Sequence, residues 1–319
     1  MIFKNKYNLP KNLCKALVND DYPHHPDNVI SCTSLIDAPK NKILQRRHDA
    51  DIEVDVAERA WIVFGNAIHY YLEKSAGADS LVEERWYLDT KTWEVYTCNA
   101  GNLICQEWYK LDTVYVSGQF DHYEDGVLSD YKATSTWSVT MNTKPKPEHV
   151  WQLNINALAM RALNFEIQKL LCILVLRDFK KSETGKGNYP RIPFHVWNIR
   201  VMTDSAIKTH ITARVEKYVQ CMKLDDDLIP ACSEEERWNR GPLFKVFKNN
   251  NKRAVNGGGK FTDILDATEF KQQLQSENPK DKYKIEEFPT KNTRCEDGYC
   301  LVTKWCHFYK KTYGEKQAS

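Results

Sequence analysis

Two aspartates placed symmetrically around an Asp-Gly dipeptide are the residues best suited to chemistry in this chain. Asp121 and Asp130 flank Asp125 and Gly126, and Asp-Gly predicts a two-residue hairpin because both central positions of a type I′ turn need positive φ. The expected pairs are Glu124 with Val127, Tyr123 with Leu128, His122 with Ser129, and Asp121 with Asp130. Because like charges that face each other across roughly 5 Å destabilise a ladder, we expect a divalent cation between the two carboxylates.

A lysine follows the second aspartate on the same strand. Lys132 lies two residues beyond Asp130, and the two-residue period of a strand points both side chains from one face. Two carboxylates and a lysine on one face of a hairpin form a constellation for hydrolysing phosphodiester bonds. The alternative interpretation is a solvent-exposed hairpin face that carries a surface ion pair without a function.

Composition sets limits on the class of protein. The 319 residues can bury a sizeable core, as one large domain or as a domain with a substantial extension. Lysine and arginine outnumber aspartate and glutamate by only 45 to 43, so net charge does not indicate nucleic-acid binding. A DNA-binding function must therefore depend on local basic patches at residues 144–146, 177–186 and 245–253, which are otherwise solvated surface.

The apolar and cysteine content bears on location. The longest apolar run, residues 170–176, is too short to cross a bilayer and is typical of a buried strand. The first seven residues are polar, with no apolar stretch behind them, so we expect no secretion and no membrane partner. Ten cysteines then indicate a reducing compartment such as the cytoplasm, where they serve as thiols or metal ligands.

Apolar periodicity predicts the elements that position these residues. Helices are predicted over residues 11–18, 33–48 with an interruption at Pro39, 54–72, 149–164, 205–222 and 266–275. Thr33 or Ser34 is the expected cap of the second of these helices. Strands are predicted over residues 84–88, 114–123, 127–133, 170–176 and 194–202. This order predicts an α/β fold with a mixed β-sheet flanked by helices.

The chain is expected to comprise three parts. Residues 1–50 form an N-terminal helical segment, residues 51–225 the core, and residues 226–319 an irregular extension that contains a cysteine cluster.

Four short motifs occur in a recognisable order. They are Gly-Asn-Ala-Ile-His at residues 65–69, Gly-Gln-Phe-Asp at 118–121, Asp-Tyr-Lys at 130–132 and Trp-Gln-Leu-Asn at 151–154. In this order the chain resembles the RecB-like branch of the PD-(D/E)XK nuclease superfamily over about residues 30–202. The stretch from residue 31 to 73 is most similar to phage-type exonucleases, relatives of CRISPR-associated and recombination exonucleases. The resemblance implies a core like that of restriction endonucleases over residues 51–225.

The resemblance also implies the roles of individual residues. His69, Asp121 and Asp130 would ligate a divalent metal, with the backbone carbonyl of Tyr131 as a further ligand. Carboxylates and water suit Mg²⁺, and an imidazole ligand suits Mn²⁺. Lys132 would position and help to deprotonate the attacking water, or stabilise the developing charge. For His69 the alternative is a structural histidine on an amphipathic helix.

The motif at residues 151–154 implies a further role near the site. Gln152 matches the glutamine that orients the lysine or the substrate phosphate in this branch, whereas Asn156 stands where a tyrosine is expected. Glu73 and Glu84 are candidates for a supporting role, or are ordinary surface acids.

Three cysteines lie close together near the C-terminus: Cys295, Cys300 and Cys306. Some members of the branch hold a [4Fe–4S] cluster with three such cysteines and one near the N-terminus, and a cluster requires four thiolates. The N-terminal position is Ala38 here. Three hypotheses stay open: the cluster is lost; Cys32, Cys14 or His307 replaces the missing ligand; or a zinc ion binds with His307.

The resemblance implies a metal-dependent DNA exonuclease that trims DNA ends in phage recombination or replication. Its partners would be DNA and a recombinase or single-strand annealing protein. A structure-specific endonuclease and a non-cleaving DNA-binding module of a recombination complex are the alternatives. A nuclease of the CRISPR-adaptation type is a more remote one.

Overall fold

The structure is a computed structural model that describes residues 1–19, 25–97, 106–255 and 260–314. It divides into two compact units, Met1–Leu224 and Asp225–Ser319. The segment 1–50 is part of the first unit. No helix in the described part of the chain has the length and apolar character needed to cross a membrane.

The first unit combines helices and strands. Its helices are α1 (Lys11–Val18), α2 (Cys32–Ile36), α3 (Pro39–Arg47), α4 (Ala60–Ser75), α5 (Trp137–Thr140), α6 (Pro147–Ala162) and α7 (Asp204–Met222). Its strands are β1 (Ile2–Lys4), β2 (Val29–Ser31), β3 (Glu53–Asp55), β4 (Leu81–Val82), β5 (Arg85–Asp89), β6 (Val95–Thr97), β7 (Tyr115–Gln119), β8 (His122–Glu124), β9 (Val127–Thr134), β10 (Lys169–Leu176) and β11 (Phe194–Ile199).

The strands of the first unit form several sheets instead of the single mixed sheet that was predicted. A five-stranded sheet has the order β11-β10-β9-β8-β4, and it is mixed because β9 and β10 run parallel while the other pairs are antiparallel. A four-stranded sheet has the order β2-β7-β5-β6, and β1 pairs with β3. The predicted α/β class with helices beside a mixed sheet therefore agrees with the structure at this coarse level.

Helix α6 forms the centre of the first unit. Residues 153–160 are all buried, and the helix packs against α2, α7, β9 and β10. Alternate residues of β10, beginning with Leu170 and Cys172, are also buried. This segment of α6 is covered on every side, and the helix lies against the strand β9 that carries Asp130 and Lys132.

The predicted strand over residues 114–123 is wrong, because two strands occupy this stretch. β7 ends at Gln119 in the four-stranded sheet, and β8 begins at His122 in the five-stranded sheet. At the junction Phe120 is buried, and the Asp121 carboxylate accepts a hydrogen bond from the Tyr131 amide. The alternating pattern continues through the junction and therefore could not distinguish one strand from two.

Two predicted helix starts are also corrected. The helix predicted over residues 54–72 begins at Ala60, because Glu53–Asp55 pair with Ile2–Lys4 and Asp55 caps a short 3-10 turn through the Ala57 amide. The helix predicted over 33–48 consists of α2 and α3, and Ser31 caps α2 by accepting from the Ser34 amide at 3.1 Å. Neither Thr33 nor Ser34 is the cap.

The second unit is more regular than the predicted extension. Strands β13 (Leu243–Lys248), β14 (Lys260–Phe261) and β15 (Tyr283–Phe288) form an antiparallel sheet, and α8 (Ile264–Glu277) packs on it. Val246, Ala267 and Tyr283 are at the centre of its core. A second group contains the short strands β12 (Asn239–Arg240) and β16 (Lys291–Asn292) and the helices α9 (Thr293–Glu296) and α10 (His307–Tyr313). Lysines interrupt the apolar residues of β13, which obscured this strand in the sequence.

Candidate metal centre and catalytic hairpin

The hairpin that carries the candidate catalytic residues forms in the predicted register. Strands β8 and β9 pair His122 with Ser129, Tyr123 with Leu128, and Glu124 with Val127. Asp125 and Gly126 have φ values of 48° and 78°, as a type I′ turn requires. These three expected pairs are confirmed, and the turn chemistry of two residues explains them.

The fourth expected pair is absent from the ladder, because Asp121 lies just before β8. Its carboxylate Oδ2 accepts a hydrogen bond from the backbone amide of Tyr131, at 2.6 Å. Asp121 therefore reaches across to β9 by its side chain. Tyr131 contributes its amide to this arrangement, which holds the carboxylate next to the strand that carries Asp130.

Asp130 and Lys132 form an ion pair on the adjacent strand. The Lys132 Nζ lies 2.8 Å from Asp130 Oδ1, and Asp130 is only 1% exposed. The other carboxylate oxygen, Oδ2, is buried and has no hydrogen-bond partner among the described residues. A buried carboxylate oxygen without a partner is costly in free energy, and a cation bound on that side would remove the cost.

The groups behind Asp130 are uncharged. Cys172 faces Asp130 across the parallel β9–β10 pairing, and its Sγ lies 3.5 Å from His149 Nδ1. Burial raises the pKa of Cys172 to about 12, and burial and the charge of Lys132 lower that of His149. Near neutral pH a thiol and a neutral imidazole therefore line this side of Asp130, which leaves Lys132 as its neighbouring cation.

A group of three potential metal ligands lies beside the hairpin. His69 on α4, Glu83 and Asp121 each offer one ligand atom, and these atoms lie within 4.8 Å of one another. His69 Nδ1 is 3.0 Å from Glu83 Oε1 and 3.7 Å from Asp121 Oδ2. Two carboxylates and one imidazole, with room for water and substrate oxygens, fit Mg²⁺ or Mn²⁺.

The electrostatics of the group favour a bound cation. Burial, followed by the charge of Asp130, raises the pKa of Asp121 to about 7. The hydrogen bond to Glu83 is the main cause that raises the pKa of His69. Burial opposes the charged form of Lys132, but Asp130 and Asp121 hold its pKa above the ordinary value. The Asp121 carboxylate and the His69 ring thus hold protons more tightly than usual, and a bound divalent ion would displace those protons.

Glu83 is the site residue that the sequence did not reveal. The hypothesis named Glu84 and Glu73, whereas Glu83 has a left-handed φ of 51° at the bend between β4 and β5 and turns its carboxylate towards His69. Gln119 fixes this bend, because its Nε2 donates to both the Glu83 carbonyl and Oε2, at 2.9 and 2.8 Å. The one sequence feature that could have indicated Glu83 is Gln119, in the motif at 118–121. The residue that accepts hydrogen bonds from the Gln119 side-chain amide could not be identified without the fold.

The other acids have ordinary surroundings. The Glu84 carbonyl accepts from the Phe120 amide at 3.4 Å, and Glu73 is paired with the neighbouring Lys74. Gly65 precedes His69 by one turn of α4, and a Cβ at Gly65 would meet no atom within 4 Å. This face of α4 is therefore open beside the candidate ligands.

Gln152 and Asn156 both lie on α6. Gln152 is half-buried, and its side chain makes no hydrogen bond within the described ranges of the chain. Asn156 is buried, and its Oδ1 accepts a hydrogen bond from Trp86 Nε1 at 3.1 Å. The asparagine at the position of the expected tyrosine thus provides a hydrogen-bond acceptor for the indole N–H of the buried Trp86.

The candidate cysteines belong to two different units. Cys295, Cys300 and Cys306 are in the second unit, with Cys295 on α9 and Cys306 directly before α10. Cys32 is buried in the first unit, where burial and the charge of Asp130 raise its pKa to about 12. Cys14 donates from Sγ to the Leu9 carbonyl, and His307 is exposed.

Comparison with solved structures finds distant similarities to other proteins. No protein-family model matches the chain, and no curated protein matches it. One similar solved structure is the crystal structure of SSO0001, at 13% identity and a TM-score of 0.42, over 64% of this chain and 83% of that one. Another is an alkaline exonuclease (LHK-Exo) from Laribacter hongkongensis, at 15% identity and a TM-score of 0.35, over 61% of this chain and 90% of that one.

Proposed function

We propose that the chain is a divalent-metal-dependent DNA exonuclease of the RecB-like PD-(D/E)XK type. The observation that carries the proposal is the convergence of His69, Glu83 and Asp121 beside the buried Asp130–Lys132 pair. Carboxylates, an imidazole and a lysine around one space are the groups that phosphodiester hydrolysis requires. The motif order along the chain supports the same class.

The metal ligands in this proposal are His69, Glu83 and Asp121, whose ligand atoms lie together, and Asp130, whose unpartnered Oδ2 lies outside that group of three. The Tyr131 carbonyl is a further ligand in the proposal. When bound, Mg²⁺ or Mn²⁺ lowers the pKa of a water molecule and polarises the scissile phosphate. The Asp121 carboxylate keeps its orientation through the Tyr131 amide, and Gln119 keeps that of Glu83. These two hydrogen bonds limit the orientations of the Asp121 and Glu83 carboxylates before a metal ion binds.

Lys132 has the role of a charged donor. Because Asp130 and Asp121 raise its pKa, the side chain is an ammonium at neutral pH. In this proposal it stabilises the negative charge that develops on the phosphate, or positions the attacking water and helps to deprotonate it. Gln152, at the start of α6, orients the lysine or a substrate phosphate in this proposal.

The biological setting is part of the proposal. The enzyme would trim DNA ends during phage recombination or replication, in the cytoplasm of the host, together with a recombinase or a single-strand annealing protein. Two rivals use the same residues: a structure-specific endonuclease, and a DNA-binding module that does not cut.

The test uses purified protein, end-labelled linear DNA and covalently closed circular DNA, each with Mg²⁺, Mn²⁺ or EDTA. The proposal expects both metals to support digestion of linear DNA, EDTA to abolish it, and closed circles to persist. Rapid nicking of the circles would favour the endonuclease. Binding of DNA without cleavage under every metal condition would favour the non-cleaving module.

A further inference from the structure

Helix α4, which carries His69, is apolar and yet lies at the surface. Most residues of Ala60–Ser75 are apolar or aromatic, but none of them is buried. The Trp61 side chain is 57% exposed, and Phe64 lies edge to face with it at 6.3 Å between ring centroids. Exposed apolar residues that are contiguous, unlike scattered ones, mark a surface where another molecule binds.

Trp61 shares one face of α4 with the candidate metal ligand. Trp61, Gly65 and His69 follow one another at intervals of four residues, and residues at this interval lie on the same face of an α-helix. A Cβ at Gly65 would meet no atom within 4 Å, so the helix face between the indole and the imidazole is open. Along the helix axis the two side chains are about 12 Å apart.

Arg177 places a positive charge on the exposed indole. Its guanidinium carbon lies 4.0 Å from the centroid of the Trp61 ring, and its backbone amide donates to the Thr134 carbonyl at 2.9 Å. Thr134 is the last residue of β9, roughly 7 Å along the strand from Lys132. The pair of Trp61 and Arg177 therefore joins the start of α4 to the end of the strand that carries the candidate catalytic lysine.

The segment that begins at Arg177 is basic and exposed. Arg177, Lys180 and Lys181 form no ion pair with an acid in the described ranges of the chain, and all three side chains are exposed. The acid between them, Asp178, accepts a hydrogen bond from the Thr136 amide at 2.6 Å. Beside the exposed indole there is thus an excess of positive charge, which suits a polyanion.

An aromatic ring beside unpaired cations suits a nucleic acid whose bases are accessible. A base stacks on an aromatic ring or on a guanidinium plane, while lysines contact the phosphates. The bases of a duplex are already stacked on one another, so a side-chain ring at the surface reaches only an unpaired base. Protein–protein interfaces are depleted of lysine, so the lysines here favour DNA over a second copy of this chain.

We infer that Trp61 and Arg177 form a stacking site for an unpaired base, and that the substrate is therefore single-stranded DNA or the single-stranded end of a duplex. The choice of DNA as the occupant rests on the proposed nuclease function. The strand runs along α4 from Trp61 past Gly65 to His69. At about 3.4 Å per stacked nucleotide, about three or four nucleotides span this distance. The lysines that follow Arg177 contact the phosphates.

The first experiment measures DNA binding by fluorescence anisotropy in EDTA. The ligands are a labelled single strand, a blunt duplex, and a strand of the same length that has no bases. We expect Trp61→Ala to weaken binding of the single strand by at least about fivefold, the smallest effect of one stacked base. Its affinity for the baseless strand and for the blunt duplex should not change. Trp61→Phe keeps a ring and should bind the single strand more tightly than Trp61→Ala.

Tyr70→Ala is the matched control. Tyr70 is 55% exposed, and Lys74 Nζ lies 5.5 Å from the centroid of its ring, so it is also an aromatic side chain with a cation beside it. It lies on the opposite face of α4, because it follows Trp61 by about two and a half turns. Tyr70→Ala should leave the affinity for the single strand unchanged.

Several results would overturn the inference. They are equal losses in the two alanine variants, no loss in Trp61→Ala, an equal loss for the blunt duplex or the baseless strand, and tighter binding of the blunt duplex by the unsubstituted protein. Conversion of a dimer into a monomer by Trp61→Ala, with DNA binding unchanged, would show by sedimentation equilibrium that the surface binds a second copy of this chain.

A second measurement uses only the unsubstituted protein. A single strand that contains iododeoxyuridine is crosslinked by ultraviolet light, and the labelled peptides are mapped by mass spectrometry. We expect a crosslink at Trp61, and crosslinks only to other segments would contradict the assignment. Both measurements record binding without cleavage, so the two hypotheses fail separately. Binding that depends on Trp61 in a protein that does not cleave DNA with Mg²⁺ or Mn²⁺ would contradict the nuclease function alone.

Discussion

At the scale of single residues, the candidate metal centre depends on which carboxylates face His69. Glu83 Oε1 lies 3.0 Å from His69 Nδ1. The left-handed backbone conformation of Glu83 directs its side chain towards His69. The neighbouring Glu84 has its carbonyl in a hydrogen bond with Phe120. Adjacent residues of the same type thus have different surroundings, and substitutions can compare them.

We predict that Glu83→Gln weakens Mn²⁺ binding by about tenfold or more, because loss of a supporting contact alone costs about 10–100-fold in metal affinity. Glu84→Gln makes the same chemical change one residue away and should leave affinity unchanged. Titration calorimetry of both variants measures the difference. Equal losses in the two variants would remove Glu83 from the metal centre.

The ionisation of Asp121 predicts a pH dependence of stability in the metal-free protein. Its pKa rises from 3.8 to about 7 on folding, so the folded state binds the proton more tightly. The resulting stabilisation is complete below about pH 3.8 and is lost as the pH rises through about 7. The raised pKa of His69 acts in the same direction, above its ordinary value of 6.5.

We therefore expect the melting temperature of metal-free protein to fall between about pH 4 and pH 7 and then to level off. Asp121→Asn should flatten this fall, because the amide carries no charge to repel Asp130. Mg²⁺ should raise the melting temperature of the unsubstituted protein more at the higher pH. Differential scanning calorimetry provides the comparison, and an unchanged slope in Asp121→Asn would contradict the assignment.

At the scale of elements, the β8–β9 hairpin was predictable and the surroundings of Asp121 were not. The Asp125-Gly126 turn is a local signal, so the sequence alone determined three strand pairs. The chain leaves one sheet and enters another at Phe120 and Asp121. The alternation of apolar and polar residues does not show such a change of sheet. Glu83 was likewise not predictable as a candidate ligand, because its role depends on the positions of Gln119 and α4 in the fold.

The turn between β8 and β9 allows a prediction about stability. Gly126 has a φ of 78°, and a Cβ there would lie 3.1 Å from Gln168. Gly126→Ala should therefore reduce the free energy of unfolding by about 1–2 kcal/mol. Gly65→Ala is the matched control, because its Cβ would meet nothing within 4 Å, and alanine stabilises a helix interior by roughly 0.5–1 kcal/mol. Urea unfolding of both variants measures the effect, and opposite signs are expected.

At the scale of the whole molecule, the candidate nuclease residues and the C-terminal cysteines lie in two different units. The nuclease candidates are all within Met1–Leu224, and Cys295, Cys300 and Cys306 are within Asp225–Ser319. The sequence indicated these three cysteines because they are close together in the chain.

This separation predicts that the cysteines are dispensable for cleavage. Cys295→Ser combined with Cys300→Ser should leave the specific activity of folded protein within about tenfold of the unsubstituted value, a barrier change of at most about 1.4 kcal/mol. The activity is measured per folded molecule, with the folded fraction taken from circular dichroism. A loss of several hundredfold in folded protein would show that the second unit takes part in cleavage.

The most direct test of the central claim is the single-turnover rate of Mg²⁺-dependent cleavage of linear DNA by variants of the catalytic hairpin. Asp121→Asn, Asp130→Asn and Lys132→Ala should each reduce the rate by orders of magnitude while the fold is kept, and combined losses should not add because the residues serve one transition state. Asp125→Asn, which removes a charge from the exposed turn of the same hairpin and still suits a type I′ turn, should cleave normally. Near-normal cleavage by Lys132→Ala would contradict the proposed mechanism.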